Sequence, residues 1–387
     1  MNIDNVIIFG AGASFDAGIP LLDGFIEKMR YFYWKGKSAN GDLSENDINV
    51  FKRAIEIMNE LDGYHGRAAF DDRNLEDILS ILAFNIIGRE KYGARKLDQM
   101  IEAIVRTIEL TCVINHDGKL NSIQYSSPGY YREFWDGLFK KYNKDKVIPT
   151  IITLNYDLVF ERSLLQALIT EKYRTNQFDG VIIKYYYSNM SFSFKQIDQD
   201  YHKSTYDGGF ERVKGHGLKE CKETDLVNPL IIEMLKLHGS VNFPRVLSST
   251  SMGIQSFIKP AEKPFIVPPI SNKSLSNKSV SIWRVALDRI QKCKNLYIVG
   301  YSLPKTDIYF QFFLKSALGP NNDFNRIFVY NPALFDDNGK SEIKKRYEDC
   351  FPEQLRSRIE FYPHFNKVKP GSFQNFVQNL SEENFFF

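Results

Sequence analysis

Short, mostly apolar runs alternate along the chain with longer segments in which apolar residues recur every three or four positions. Such runs are typical of strands buried within a parallel sheet, whereas the longer spacing is typical of amphipathic helices. We interpret these runs as strands: Val6–Phe9, Val147–Leu154, Leu230–Leu237, Phe265–Val267, Leu296–Val299, Ile327–Tyr330 and Ile359–Tyr362. Because strands and helices alternate, the pattern predicts an α/β fold with a doubly wound parallel sheet.

The segment between the first two predicted strands has mainly helical spacing. Its clearest stripe comprises Leu97, Met100, Ile101, Ile104, Val105 and Ile108. A helix with such a stripe buries that face against its neighbours, so these residues are expected to form core. We therefore interpret 23–145 as a helical module inserted into the sheet domain, which would comprise 1–22 and 146–335.

Two further segments are expected to add to the sheet domain. Residues 168–228 are interpreted as a peripheral insertion, in which Val181–Tyr187 and Met190–Phe194 pair as a small hairpin. Residues 336–387 would form a C-terminal extension with a helix at Phe373–Leu380. The extension ends in three phenylalanines, Phe385–Phe387, and exposed contiguous aromatics tend to mark a contact. We expect this tail to dock onto its own or a neighbouring subunit.

Composition and charge exclude some classes of function. The chain has 387 residues and a formal net charge of +3, from 50 basic and 47 acidic residues. So balanced a charge does not indicate a nucleic-acid-binding protein. No apolar run approaches the roughly 20 residues needed to cross a membrane, and the N-terminus leads into a strand without a secretory signal. We therefore expect a cytoplasmic protein that does not bind membranes.

The four cysteines, Cys112, Cys221, Cys293 and Cys350, are widely separated and include no C-x-x-C pair. Structural zinc is most often held by closely spaced pairs of cysteine or histidine. The pattern therefore predicts no zinc ribbon and no metal site. Isolated cysteines in a cytoplasmic protein are most often small buried hydrophobic residues, and we expect the same here.

A glycine-rich turn, Gly10-Ala11-Gly12-Ala13-Ser14, follows the first predicted strand directly. Glycine lacks a Cβ, so the backbone can approach a ligand closely, and the N–H groups of a following helix would bind a diphosphate. Phe15 replaces the third glycine of the dinucleotide-binding fingerprint, and no acidic residue ends a second strand about 20 residues later. An ordinary dinucleotide-dependent dehydrogenase is therefore not indicated.

Polar residues also follow two later strands. In an extended segment, Asn155 and Asp157 point to the same side, so both can face one pocket while Tyr156 faces away. An Asx-turn that ends the strand is the alternative for this pair. His238 follows Leu230–Leu237 directly, and a neutral imidazole there can accept a proton near pH 7. The alternative for His238 is a polar residue whose bonds are satisfied within the protein.

Four segments together resemble the sirtuin (Sir2-like) superfamily, and its bacterial anti-phage branch more than the protein deacetylases. They are Gly10–Pro20, Thr153-Leu154-Asn155-Tyr156-Asp157, Leu237-His238-Gly239-Ser240 and Gly300-Tyr301-Ser302-Leu303-Pro304. They occur in the family's order and are scattered over most of the chain. The resemblance implies a Rossmann-like, Sir2-like sheet domain that binds NAD+ as its substrate.

The resemblance also implies a role for each matching residue. Asp157 would bind the nicotinamide carboxamide, Asn155 would order a water or the ribose, and His238 would take a proton from a ribose hydroxyl or an attacking water. The other residues that bind NAD+ would be Gly10, Ala11, Gly12, Ala13, Ser14, Gly300, Ser302 and Asn331. Turn capping is the alternative for Ser302 and Asn331, and Asp307 is expected to cap the next helix.

Two departures from the deacetylase pattern bear on the reaction. The segment Ile19-Pro20-Leu21-Leu22 lacks the Phe-Arg pair that deacetylases carry there, and the zinc ribbon is missing. We therefore expect water to be the acceptor, which makes the chain an NAD+ glycohydrolase and an effector of bacterial anti-phage defence. The alternatives are an NAD-dependent protein deacylase and a non-catalytic module that binds NAD or ADP-ribose and signals by assembly. A homo-oligomer and, by family analogy, a HerA-type ATPase partner are also implied.

Overall fold

The computed structural model of the chain describes residues 4–39, 41–62, 74–88, 90–114, 129–145, 148–170, 178–204, 210–246, 253–267, 277–334, 340–361 and 370–380. Its strands are β1 (Asn5–Phe9), β2 (Lys37–Ser38), β3 (Gly41–Asp42), β4 (Thr150–Thr153), β5 (Gly180–Lys184), β6 (Ser191–Ser204), β7 (Phe210–Glu220), β8 (Pro229–Lys236), β9 (Gly239–Pro244), β10 (Pro264–Ile266), β11 (Asn295–Val299), β12 (Arg326–Tyr330) and β13 (Ile359–Phe361). Its helices are α1 (Gly12–Phe15), α2 (Phe25–Lys35), α3 (Glu45–Asp62), α4 (Leu75–Gly88), α5 (Glu90–Thr111), α6 (Tyr130–Asp145), α7 (Val159–Thr170), α8 (Ile254–Ile258), α9 (Asn277–Lys292), α10 (Ile308–Leu318), α11 (Lys340–Cys350), α12 (Glu353–Arg356) and α13 (Phe373–Leu380). Within these ranges, no helix combines the length and the apolar character that a membrane crossing requires.

Nine of the described strands form one sheet, in the order β13-β12-β11-β1-β4-β8-β5-β6-β7. Every pairing from β13 to β8 is parallel, as is the pairing of β8 with β5. Counted along the chain, the six strands β8, β4, β1, β11, β12 and β13 have the order 3-2-1-4-5-6, which is that of the Rossmann fold. The predicted α/β fold with a parallel sheet is confirmed, and β1 lies where the strand order reverses.

Helices cover both faces of this sheet. On β8, Lys236 contacts Glu161 of α7, whereas Glu233, three residues earlier, contacts Arg289 of α9. Side chains three residues apart on a strand point to opposite faces, so α7 and α9 lie on opposite sides of the sheet. This arrangement explains why Val6–Phe9 is wholly apolar, because each of its side chains is fully buried.

One predicted strand does not belong to the central sheet. Strand β10 pairs antiparallel with β9 in a separate two-stranded sheet, so the prediction that Phe265–Val267 continues the central sheet is wrong. Gly239, with a φ of +79°, turns the chain out of the central sheet just after His238. A Cβ on Gly239 would lie 2.2 Å from the carbonyl oxygen of Phe265, so the glycine also allows β9 and β10 to approach. An apolar run as short as Phe265–Val267 has no feature that distinguishes a strand of the central sheet from a strand of a separate sheet.

The segment 168–228, expected to be a peripheral insertion, extends the central sheet at one edge. Strand β5 pairs in parallel with β8 and in an antiparallel hairpin with β6, where Val181 lies opposite Phe194. The predicted hairpin is therefore confirmed. Its turn residues Ser188 and Asn189 have φ values of 47° and 60°, the left-handed conformation that tight hairpin turns require.

The C-terminal extension, 336–387, also contributes to the central domain. It supplies β13 at the other edge of the sheet. The helix predicted at Phe373–Leu380 is confirmed as α13. It packs on α6, where Phe373 stacks on Tyr131 with ring centroids 4.7 Å apart. The tail residues Phe385–Phe387 lie outside the described residues.

Helices α2 to α6 lie within the predicted helical module, 23–145. Met100, Ile101 and Ile104 of the predicted α5 stripe are buried, as expected for a core-facing helix. A buried ion pair joins this module to the sheet domain, because Arg162 of α7 donates to both carboxylate oxygens of Glu109 on α5 at 2.8 and 2.7 Å. The module and the sheet domain are therefore connected by more than the chain itself.

Candidate functional site

A cavity of about 1280 Å³ opens at the carboxyl ends of the parallel strands, around the point where the strand order reverses. Five strand ends contribute to its wall: Ala11 and Gly12 after β1, Asn155 to Asp157 after β4, His238 after β8, Gly300 to Ser302 after β11, and Asn331 after β12. Open α/β sheets bind their ligands at this place. Gly10, Ala13 and Ser14, also predicted to bind the substrate, do not line the cavity and are buried.

The two candidate catalytic residues come from adjacent parallel strands. Thr153 of β4 lies opposite Lys236 of β8, and the Leu237 N–H still donates to the Thr153 carbonyl at 3.0 Å. Continuing this register by two residues places Asn155 level with His238. Because neighbouring strands lie about 4.8 Å apart, the two side chains start from adjacent positions, and both line the cavity.

Gly12 and Gly300 allow the β1 and β11 loops to touch. A Cβ on Gly12 would lie 2.9 Å from the Cα of Gly300. A Cβ on Gly300, whose φ is +68°, would lie 2.2 Å from the backbone nitrogen of Ala13. The contact includes a hydrogen bond from the Gly12 N–H to the Gly300 carbonyl at 2.8 Å. These glycines are therefore required by contact between two loops, whereas the sequence suggested the approach of a ligand.

The backbone amides of the glycine-rich turn are used within the protein. Those of Gly12, Ala13 and Ser14 donate to carbonyl oxygens of the same turn or of the β11 loop at 2.8, 2.9 and 3.1 Å. The helix that follows, α1, is a single turn. These three amides therefore do not form the open anion site that the sequence predicted, and a diphosphate beside this turn needs another source of positive charge.

A positive charge reaches the cavity from the helical module. Asp23, Ile26, Glu27 and Arg30 all line the cavity, and their spacing places them on one face of α2 and the turn before it. Arg30 is the one arginine or lysine among the described residues that form the wall. It was not predicted, because the apolar residues of α2 indicated only core packing. An anionic group bound in the cavity would therefore find its cationic partner on this helix.

Asn155 connects β4 to the glycine-rich turn. Its Nδ2 donates to the Gly10 carbonyl at 2.9 Å and to the Ser14 hydroxyl at 3.0 Å, and its backbone N–H donates to the Thr153 hydroxyl. A carbonyl oxygen can only accept, so the nitrogen of the amide must face Gly10. Both N–H donors of the side chain are thereby used, and chemistry at Asn155 would have to use the acceptor Oδ1.

Asp157 combines a structural contact with a place on the cavity wall. Its Oδ1 accepts the Val159 N–H at 3.0 Å, which caps the start of α7. This is the Asx-type turn that the sequence left open as the alternative. Asp157 also lines the cavity, where a ligand would have to use its other carboxylate oxygen. Its backbone carbonyl accepts a hydrogen bond from the ammonium group of Lys236.

His238 is 6% exposed and lies between two aromatic side chains. Its ring centroid is 6.3 Å from that of Tyr156 and 6.2 Å from that of Trp283, which the sequence analysis did not single out. Tyr156, predicted to face away from the pocket, lines the cavity and donates its hydroxyl to the Val267 carbonyl at 2.7 Å. Burial raises the pKa of Tyr156, so this hydroxyl remains a donor near neutral pH.

The remaining predicted residues also line the cavity, and some of them cap turns. Asn331 accepts a backbone N–H two residues further along the chain at 3.0 Å, so its predicted alternative role is present. Asp307 caps α10 as predicted, since it accepts the Phe310 N–H at 3.3 Å. It also accepts the hydroxyl of Tyr301 at 2.7 Å. Ser302 is half-buried on the wall.

Within the part of the chain that the structure describes, no three His, Cys, Asp or Glu side chains are grouped so that they could hold a metal ion.

A scan against protein-family models and a search of the curated proteins each found no match to the chain. The function of the site therefore has to be inferred from the cavity and from the residues on its wall.

Proposed function

We propose that the chain is a Sir2-like protein of the sirtuin superfamily that hydrolyses NAD+ to ADP-ribose and nicotinamide. The observation that carries this proposal is the meeting of four remote sequence segments at one cavity, with Asn155 and His238 on adjacent strand ends. The cavity lies at the switch point of a Rossmann-ordered sheet, the usual place for a dinucleotide. Its volume of about 1280 Å³ is above the ~300–1000 Å³ typical of small-molecule sites.

The reaction needs few groups from the protein. As the glycosidic bond breaks, its electron pair moves to the pyridinium nitrogen and neutralises the ring, so nicotinamide leaves without an acid catalyst. Asn155 would orient the attacking water through Oδ1, and His238 would accept the proton that the water loses as its oxygen bonds to the ribose carbon. Asp157 would hold the nicotinamide carboxamide. The transition state carries positive charge on the ribose, which carboxylates of the cavity wall such as Asp16 and Asp307 would stabilise.

Protein deacylation is the second candidate, and the apolar part of the cavity wall favours it. Phe15 is 53% exposed and lines the cavity together with Leu21 and Leu22. Such a surface could accept the chain of an acylated lysine. The missing Phe-Arg pair and the absence of paired cysteines in the sequence favour water instead. Adding an acyl-lysine peptide separates the two reactions, because deacylation yields acyl-ADP-ribose and hydrolysis yields ADP-ribose.

By the same resemblance, we infer that the chain acts as an effector of anti-phage defence, as a homo-oligomer and with a HerA-type ATPase. The purified chain should therefore be incubated with NAD+ both alone and with the product of its neighbouring gene. Size-exclusion chromatography coupled to light scattering would measure the assembly in each case. Tight binding of NAD+ without any turnover under both conditions would favour the non-catalytic assembly module.

The assay that tests the proposal measures nicotinamide release by chromatography. We expect Asn155→Ala and His238→Ala each to abolish release, because one loses the oxygen that orients water and the other loses the proton acceptor. Asn49→Ala is the matched control, since Asn49 is exposed on α3 and does not line the cavity. Full activity in both site variants would show that the site is wrongly assigned.

A further inference from the structure

A buried ion pair lies directly beneath the candidate site. The ammonium of Lys236 on β8 is 2.8 Å from Oε1 of Glu161 on α7, and each side chain is 1% exposed. The Tyr185 hydroxyl donates to the same carboxylate oxygen at 3.1 Å. None of these three residues lines the cavity, and the proposed chemistry does not use them.

Lys236 also contacts one of the candidate site segments. Its ammonium donates to the backbone carbonyl of Asp157, whose carboxylate caps α7. Lys236 lies opposite Thr153, and His238 follows it by two residues. One buried cation therefore joins the turn that carries Asn155 and Asp157 to the strand that carries His238.

Stability alone does not account for this arrangement. Taking two charges out of water is costly, and well-packed apolar side chains of similar volume stabilise a protein as well as a buried ion pair or better. An apolar side chain, however, cannot donate to the Asp157 carbonyl. The ammonium supplies a directional contact at the place where the site residues need to be held.

We propose that Lys236 is a positioning residue that fixes the Asn155–Asp157 turn relative to His238. This proposal rests on the proposed function of the site. Lys236 does not touch the substrate; it acts through the Asp157 backbone and sets the distance between the residues that orient water and accept its proton. A displacement of about 1 Å in such an arrangement can lower a rate about 100-fold.

Two variants separate positioning from stability. The apolar variant, Lys236→Met/Glu161→Leu/Tyr185→Phe, removes both charges and the hydroxyl that donates to Glu161, so neither charge is left buried without its countercharge. The Asp157 carbonyl loses its contact with Lys236, which is the contact under test. Glu161→Gln instead keeps the lysine and its contact with Asp157 but leaves its charge without a countercharge. If Lys236 positions the site, stability and activity should respond in opposite ways in the two proteins.

We expect the apolar variant to keep a Tm near that of the wild type while its kcat for nicotinamide release falls about 10- to 100-fold. We expect Glu161→Gln to lose roughly 5 °C or more in Tm and to keep its kcat below that temperature. Affinity for ADP-ribose should be unchanged in both, because the Asn155–Asp157 turn is proposed to act on the attacking water and on nicotinamide, and ADP-ribose lacks nicotinamide. A normal kcat in the apolar variant overturns the proposal. So does an apolar variant that fails to fold, or a parallel loss of Tm and kcat in both proteins.

Failure of the proposed function would be recognised separately. If the wild-type protein releases no nicotinamide, alone or with its partner, NAD+ hydrolysis is wrong. Positioning is then measured from the affinity for a carbocyclic NAD+ analogue, whose glycosidic bond is stable, relative to that for ADP-ribose. The apolar variant should lower this ratio, and an unchanged ratio, or binding of neither ligand by the wild type, overturns the positioning role as well.

Discussion

Replacing Gly300 by alanine tests the contact between the β1 and β11 loops that shapes the cavity. At a φ of +68°, any residue with a Cβ costs about 1–2 kcal/mol. The new Cβ would also lie 2.2 Å from the Ala13 nitrogen, so the loops must separate by about 1 Å to reach ordinary contact. That separation breaks the Gly12–Gly300 hydrogen bond, which is worth about 1 kcal/mol. Forcing a methyl group into this packed contact costs about 1–3 kcal/mol more.

Gly36→Ala is the matched control for Gly300→Ala. Gly36 ends α2 with a φ of +60°, but the nearest side-chain atom to its Cβ position is 3.7 Å away. It therefore carries the conformational cost without the overlap. Urea unfolding should show Gly300→Ala less stable than Gly36→Ala by about 2–4 kcal/mol, the sum of the hydrogen bond and overpacking. Nicotinamide release should fall about 100-fold in Gly300→Ala alone. Equal destabilisation of the two variants would refute the described loop contact.

Two further predictions concern charges. Arg30→Gln should weaken binding of ADP-ribose about 10- to 100-fold in calorimetry and leave binding of adenosine unchanged, since only ADP-ribose carries a diphosphate. Arg53→Gln removes a half-buried arginine of the same module that pairs with Glu102 and does not line the cavity, and it should change neither affinity. Burial would raise the pKa of Glu233, but hydrogen bonds from Arg289 and Tyr186 outweigh it and hold that pKa below its usual range. This stabilisation is present above the ordinary glutamate pKa of about 4.3 and is lost as pH falls through the lowered folded value. Thermal unfolding below pH 5 should therefore lose stability less steeply in Arg289→Met than in the wild type, and identical slopes would contradict the assignment.

The strands of the central sheet were predictable because burial on both faces removes polar residues from them. Val6–Phe9 shows this clearly, because all four of its side chains are apolar and fully buried. The short run Phe265–Val267 had no such constraint, and its pairing depends on the turn at Gly239. Sequence spacing therefore predicts that a segment is a strand more reliably than it predicts which strand lies beside it.

Sequence spacing could not identify Arg30 or Lys236 as residues of interest. Each is a common residue type at an unremarkable position of a helix or a strand. Their interest comes from contacts between distant segments, such as the pairing of Lys236 with Glu161, 75 residues away. No local pattern records such a contact, because it depends on the packing of the folded chain.

The polar residues at the strand ends show why sequence left their roles as alternatives. Asn155 uses Nδ2 to hold the glycine-rich turn, and Asp157 uses Oδ1 to cap α7. Asn331 uses Oδ1 to cap the turn after β12. In each case one polar atom is used by the fold, while the side chain also lines the cavity and has another polar atom to offer a ligand. The structural role and the binding role are therefore compatible at each of these positions, and a side chain held by its structural contact presents its second atom with little loss of side-chain entropy on binding.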